Sequence, residues 1–214
     1  MSNSTKAWCN PTTKAWTSTP FDEICAHLIV EDVLSGAIVG TYRMQTGLQA
    51  MAGLGYYSER EFDFAPFAAA RPKILELGRA CIAQGHRNFA VLNLLWKGIA
   101  AYARDHGAQY LIGCSSLTSQ DPLIAATAYT QLMRHLAAPA WRTLPRPEFA
   151  CAQSETGGAA VPIPRLLSAY LALGAAICGP PAIDTEFRTL DFLTWIDIES
   201  PLVLAMQRRG RFTA

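Results

Sequence analysis

At 214 residues the chain suits one domain, and with half of them hydrophobic it can bury a substantial core. A net charge of +1 argues against the basic footprint of a nucleic-acid-binding protein. Charged residues make up only 16%, which fits an alanine-rich chain or one that handles something greasy. No apolar run reaches the roughly 18 residues of a membrane span, and the polar start MSNSTKAWCNPTTKAWTSTP lacks the apolar stretch of a signal peptide. The cysteines at 9, 25, 81, 114, 151 and 178 lie far apart, with no C-x-x-C pair and no histidine at ligand spacing. They read as reduced thiols, so no metal is expected and the cytoplasm is the expected compartment.

In chain order, residues 1–20 read as an irregular arm with Lys-Ala-Trp twice, and the folded domain is expected over 21–199. ICAHLIVED (24–32) and AIVGTYRMQ (37–45) alternate as strands around a Ser-Gly turn, the pattern expected of a hairpin. Residues 46–72 are mixed, with room for a short helix or two. KILELGRACIA (73–83) reads as a third strand, and NFAVLNLLWKGIAAYARDH (88–106) as a helix stopped by Gly107. QYLIGCSSL (109–117) is a fourth strand. DPLIAATAYTQLMRHLA (121–137) is a helix with Asp121 as N-cap and Pro122 in the first turn. A Pro/Gly/Ser-rich loop leads to a helix at 165–176 and closing strands around AAICG, AIDTEFR and DFLTWIDIE (191–199). Residues 200–214 form a basic tail. The order predicts an α/β or α+β fold with one mixed central sheet flanked by helices.

Between the third strand and its helix lies Gln84-Gly85-His86-Arg87-Asn88, a junction that aims backbone N–H groups and a helix N-terminus at whatever sits above it. Neither a Walker loop nor a dinucleotide fingerprint is present, and Gly85 is the only glycine there. Spacing alone leaves an anion site and a plain turn both open.

The stretches ELGR (76–79), LLWKGIAAYA (94–103), YLIGCSSL (110–117) and the pattern ID..F.TLDF within 183–192 resemble the core of the GCN5-related N-acyltransferase fold. More narrowly they are similar to ornithine-lipid N-acyltransferases and long-chain N-acyl amino acid synthases, with acyl-homoserine-lactone synthases as more distant relatives. The likeness spans roughly residues 21–199. Two departures stand out: the first 19 residues do not match the family's usual opening, and the phosphate loop lacks the glycine pattern of acetyl-CoA users. A donor with a single phosphodiester, acyl-phosphopantetheine on acyl carrier protein, fits such a loop, with acyl-CoA as the other source. The resemblance implies Gly85, His86, Arg87 and Asn88 at the donor phosphate, and Cys114 and Ser115 beside the pantetheine arm.

Amide formation from a thioester needs a neutral amine, a base for its proton and a donor to the developing oxyanion. Glu76, among apolar strand neighbours, is the candidate base, since burial raises its pKa. Arg43 is a candidate grip on the substrate carboxylate, as is Arg79. Three positions apart on a regular strand, Glu76 and Arg79 face opposite sides, so a bulge is needed to bring both to one cleft; otherwise Arg79 pairs with Asp22, Glu23 or Asp32. Helices 121–137 and 165–176 are expected to supply an acyl tunnel. Arg134, Arg142, Arg146, Arg165 and Arg208-Arg209-Gly210-Arg211 are the basic candidates for an acidic carrier protein or anionic lipid heads.

The expected activity is transfer of a long fatty acyl group, 3-hydroxy chains included, to the α-amine of an amino acid. Acyl carrier protein is the expected partner, peripheral contact with the inner membrane is allowed, and no nucleic acid is expected. Two alternatives stay open: a short-acyl or acetyl-CoA transferase on a small amine, and a non-catalytic acyl-binding module of the same fold.

Overall fold

The alternating segments at 24–45 form a hairpin, β1 (Ala26–Glu31) against β2 (Ile38–Thr46), in register from Ala26 opposite Met44 to a bulge at Val30/Glu31. In this computed structural model residues 18–152, 159–201, 203 and 204 are described; Cys9, most of the N-terminal arm and the basic run at 208–211 lie outside them. β2 pairs antiparallel with β3 (Ile74–Ile82), which leads through α3 (Phe89–Asp105) to a parallel β4 (Tyr110–Leu117). β7 (Thr189–Asp197) runs antiparallel to β4 along its whole length, and carries the short strands β5 (Ala176–Ile177) and β6 (Ala182–Asp184) on its other edge. The result is a mixed seven-stranded sheet in the order β1-β2-β3-β4-β7-β5, with β6 also on β7.

Helix α1 (Pro20–Ile24) precedes the hairpin, and α2 (Gly47–Ala52) with short 3-10 turns at 57–60, 65–67 and 71–73 fills the stretch of mixed sequence. Asp121 caps α4 (Pro122–Leu132) by accepting from the Leu123 N–H at 2.8 Å. α4 is shorter than expected and gives way to one 3-10 turn, Met133–His135. α5 (Arg165–Ala172) ends before Gly174, whose φ of +91° cannot continue a helix. Among the described residues no helix is long and apolar enough to cross a membrane.

Each face of the sheet has its own core. α3 and α5 cover one face, packing Leu95, Ile99 and Tyr170 on Leu75, Leu111 and Ile196. Aromatic residues of the 56–67 segment cover the other, where Phe67, Trp141, Tyr110 and Trp195 stack against one another.

Pairing of β3 with β4 covers only Ile74–Tyr110, Leu75–Leu111 and Glu76–Ile112. Two residues mark where the pairing ends. A Cβ on Gly113 would stand 2.3 Å from the Leu77 carbonyl oxygen, so the strands can lie this close there only because position 113 has no side chain. Two residues on, Arg79 adopts φ +51° and the register with β2 shifts between Thr41 and Arg43, a bulge that bends β3 away. Gly113→Ala is therefore expected to push the strands apart and cost about 1–3 kcal/mol of stability, read as a lower urea midpoint; an unchanged midpoint would contradict the close approach.

Candidate active site

Where β3 and β4 part, a cavity of about 390 Å³ opens through the sheet. Tyr42, Trp96, Leu166, Leu167 and Tyr170 give it an apolar wall, and Gly78, Arg79, Cys114 and Ser116 form the edge toward the other face. Tyr42, Ala80 and Leu166 also line a second, neighbouring cavity of about 630 Å³, together with Arg87, Asn88, Phe89 and Arg165. The Asn88 side chain caps α3, accepting from the Val91 N–H at 3.0 Å, so a helix N-terminus and two guanidinium groups meet at this end. Of the four residues expected at a donor phosphate, Arg87 and Asn88 line the groove. Gly85 and His86 form a 3-10 turn outside its wall. Arg165 lines it as well. α5 walls the cavity, whereas α4 packs on Phe192 and Leu190 instead and contributes nothing to a tunnel.

The hydroxyls of Tyr42 and Tyr170 are hydrogen-bonded to each other in this cavity. Burial pushes the Tyr42 phenol up to about 12 and Tyr170 well above its usual range, so both stay neutral O–H groups. Ser115 lies buried on the helix-covered face beside Thr194.

On the opposite face Asp22 holds two arginines. Its carboxylate is 2.8 Å from Arg43 and 3.0 Å from Arg79, joining α1 to β2 and β3. Against the burial that would raise it, the Thr19 N–H and the two guanidinium groups hold the Asp22 carboxyl down at about 2. Arg43 is 5% exposed, packs against the Phe21 and Tyr57 rings, and lies across Gly78. Arg79 lines the cavity edge, brought there by the bulge.

Glu76 is 4% exposed and both its oxygens are engaged: Oε2 accepts from the Tyr57 N–H at 2.7 Å, and Oε1 from the Ser58 N–H at 2.8 Å and the Ser58 hydroxyl at 2.5 Å. Burial pushes its carboxyl up, while these donors and Arg43 pull it down. Glu76 thus fixes the turn at 57–60, and that turn presents the next residue, Glu61.

Glu61 meets Asp191 and Cys114 on this same face; one ligand-type atom from each lies within 4.8 Å of the others. Burial, with Asp191 and Asp184 beside it, pushes the Glu61 carboxyl up to about 9. Burial raises Asp191 too, though the hydroxyls of Ser116 and Thr189 favour its ionised form. The Cys114 thiol is driven well up by burial and stays protonated, so it is no nucleophile. Glu61, Asp184 and Asp191 had no role in the sequence reading, although Asp184 and Asp191 are the two acids of the ID..F.TLDF pattern. Of the other basic candidates, Arg142 and Arg146 donate their Nε to main-chain carbonyls, those of Ala137 and Glu59, as Arg87 does to that of Ile82.

A mixed sheet split between two parallel strands, with a helix N-terminus at one end of the cleft, is the layout of the GNAT fold, and the acetyltransferase (GNAT) domain model matches residues 9–97. The chain belongs to the family of L-ornithine Nα-acyltransferases. It is 33% identical over 195 residues to that of Agrobacterium fabrum, covering 84% of this chain and 67% of that one. It is 34% identical over 194 residues to that of Brucella abortus, covering 84% and 69%. The chain thus spans about two thirds of these relatives' length. Among solved structures it is similar in fold to the CoA-dependent acyl-homoserine lactone synthase BjaI, with a TM-score of 0.50, 14% identity and coverage of 92% of this chain and 70% of that one. The AHL synthase LasI superposes with the same TM-score at 12% identity, covering 94% and 78%.

Two outcomes follow from the charges. Asp22→Asn leaves Arg43 buried without its partner and is expected to cost about 3 kcal/mol in urea denaturation near neutral pH. Because the Asp22 pKa is depressed in the fold, its contribution is present above about pH 4 and lost toward about 2, so the gap between parent and variant closes over that range. Glu61 has the opposite sign. Its pKa is raised from 4.5 to about 9 on folding, so stability falls as pH rises across that window. Glu61→Gln is expected to flatten this slope and raise the melting temperature at pH 8; a lower melting temperature at pH 8 would contradict the assignment.

Proposed function

We propose that this N-acyltransferase moves a long fatty acyl group from acyl-phosphopantetheine to the α-amine of an amino acid. The observation that carries the reading is a pair of neighbouring cavities that share Tyr42, Ala80 and Leu166. The apolar one lies at the strand split and the other bears Arg87, Arg165 and the α3 N-terminus, so an acyl chain and a phosphate have complementary ends. The loop at 84–88 is short of glycine and suits one phosphodiester better than a diphosphate, which favours acyl carrier protein as the donor over CoA. The relatives' activity on ornithine supports an amino acid as the acceptor.

In the reaction the amine attacks the thioester carbonyl carbon from the face carrying Glu76. A C–N bond forms, the C–S bond breaks, and backbone N–H groups at the split polarise the carbonyl. The phenols of Tyr42 and Tyr170 keep their protons and offer a hydrogen bond to the departing thiolate, which leaves ionised or takes its proton from solvent. Glu76 takes the amine's proton through Ser58, whose hydroxyl donates to Glu76 and lies against Cys114 at the cleft edge. As Ser58 accepts the amine's proton it passes its own to Glu76, so no donor to the carboxylate is lost.

The test is to incubate the protein with L-amino acids and palmitoyl or acetyl thioesters of acyl carrier protein and of CoA, and to identify products by mass spectrometry. An N-palmitoyl amino acid is expected, formed faster from the carrier protein. Acetylated product alone would contradict the reading and favour the short-acyl alternative. Ser58→Ala is expected to lower kcat by tenfold or more with the protein still folded; an unchanged kcat would remove the relay.

A further inference from the structure

Helix α2 is built inside out. It turns Gly47 and Ala50 to the protein and leaves Leu48 and Met51, one turn apart, 66% and 56% exposed. Leu54, just past its end, is 55% exposed. A close approach dictates the inward side: a Cβ on Gly47 would stand 1.9 Å from the Arg71 carbonyl oxygen, so only the smallest residues fit there. The outward side follows no such rule, since a helix packed on a core ordinarily turns its large apolar side chains inward. Met51 and Leu54 line an open groove of about 660 Å³ with Arg60, Arg71, Arg146 and Phe149. Arg146 ends an extended segment, 142–146, that sends Thr143 inward and Arg142, Leu144 and Arg146 outward, Leu144 with 65% exposure.

The charges around this apolar patch are unbalanced. In the groove Glu59 is matched by Arg71, whose guanidinium donates to both its oxygens at 2.6 and 2.7 Å. Lys73 is exposed at the end of the turn that packs on α2. Among the described residues Arg60, Lys73, Arg142 and Arg146 then stand against Glu148 and Asp63, the last beside Leu144 through its N–H. We propose that this face, α2 with the segment 142–146, docks on an anionic lipid bilayer. Leu48, Met51, Leu54 and Leu144 enter the boundary between headgroups and acyl chains, and the guanidinium groups beside them reach headgroup phosphates, which arginine binds through two N–H groups. A second copy of the chain is the weaker match, because it would set the same excess of cations against itself. α2 follows the end of β2 at Thr46, whereas the cavity bearing Arg87 lies by Ile82, paired with Gly40 near the other end of β2. A donor at that cavity and a bilayer at α2 therefore do not compete, and the docking stands whether or not the acyl-transfer reading does.

The experiment is flotation of the full chain with vesicles of phosphatidylcholine alone or with about 30 mol% phosphatidylglycerol, at about 0.1 M and about 0.5 M NaCl. The parent is expected to bind the phosphatidylglycerol vesicles at least tenfold more strongly than the others, and less so at the higher salt. Leu48→Gln, Met51→Gln and Leu54→Gln together are expected to weaken that binding tenfold or more. Arg60→Gln with Lys73→Gln is expected to weaken it at least threefold and to flatten its salt dependence. All five side chains lie at the surface, and an unchanged melting temperature shows that each variant is folded. Equal binding to both lipid compositions, or binding unchanged in the triple variant, overturns the proposal. So does a parent that ignores vesicles and sediments as a dimer which the triple variant takes apart. Vesicle binding is read without substrates, so a failure to form N-acyl product would strike the acyl-transfer reading and leave these outcomes as they stand.

Discussion

The architecture turns on one contact, the approach of Gly113 to the Leu77 carbonyl where β3 and β4 cease to pair. Up to that point the parallel strands form ordinary sheet; beyond it the Arg79 bulge carries β3 away. A break in the middle of a sheet would ordinarily be filled by side chains, since protein interiors are packed to the density of organic crystals. Here it remains open, with α5 and Trp96 walling one side and Arg79, Cys114 and Ser116 the other. On the proposed reading, the opening is where a donor on the helix-covered face meets an acceptor on the aromatic face.

The aromatic face is organised by buried carboxylates that the fold treats in different ways. Asp22 is neutralised by two arginines and becomes a strut between α1, β2 and β3. Glu76 is satisfied by main-chain N–H groups and a hydroxyl, and so positions the turn after Tyr56. Glu61 and Asp191 lie side by side with no ion pair among the described residues, Asp191 beside the Ser116 and Thr189 hydroxyls and Glu61 accepting from the Cys114 thiol at 3.8 Å. Folding with two such acids side by side costs stability as pH rises.

Much of the fold was legible in the sequence because its signals are local. The hairpin, β3, α3 with its Gly107 stop, β4 and the Asp121 cap follow from periodicity and capping chemistry. The pairing of Arg79 with Asp22 was among the expected partners, yet the bulge that also lets Arg79 reach the cleft left no mark, since φ +51° is unusual for arginine. The acidic pocket was illegible for a different reason. Glu61 sits in a stretch without periodicity, and only the return of β6 and β7 to the sheet brings Asp184 and Asp191 beside it. The segment 46–72 likewise shows little pattern because its turns are fixed by distant partners, Glu76 and Arg146 among them.

The central claim is that the parting of β3 and β4 is where an acyl-pantetheine arm lies, with its chain against α5 and its phosphate at the start of α3. A crystal structure with a thioether analogue of palmitoyl-pantetheine phosphate tests it most directly. The account predicts the arm between Gly78 and Cys114, the acyl chain along Leu166, Leu167 and Tyr170, and the phosphate between Arg87 and Arg165. An analogue bound elsewhere, with Gly78 and Cys114 closed on each other, would contradict it.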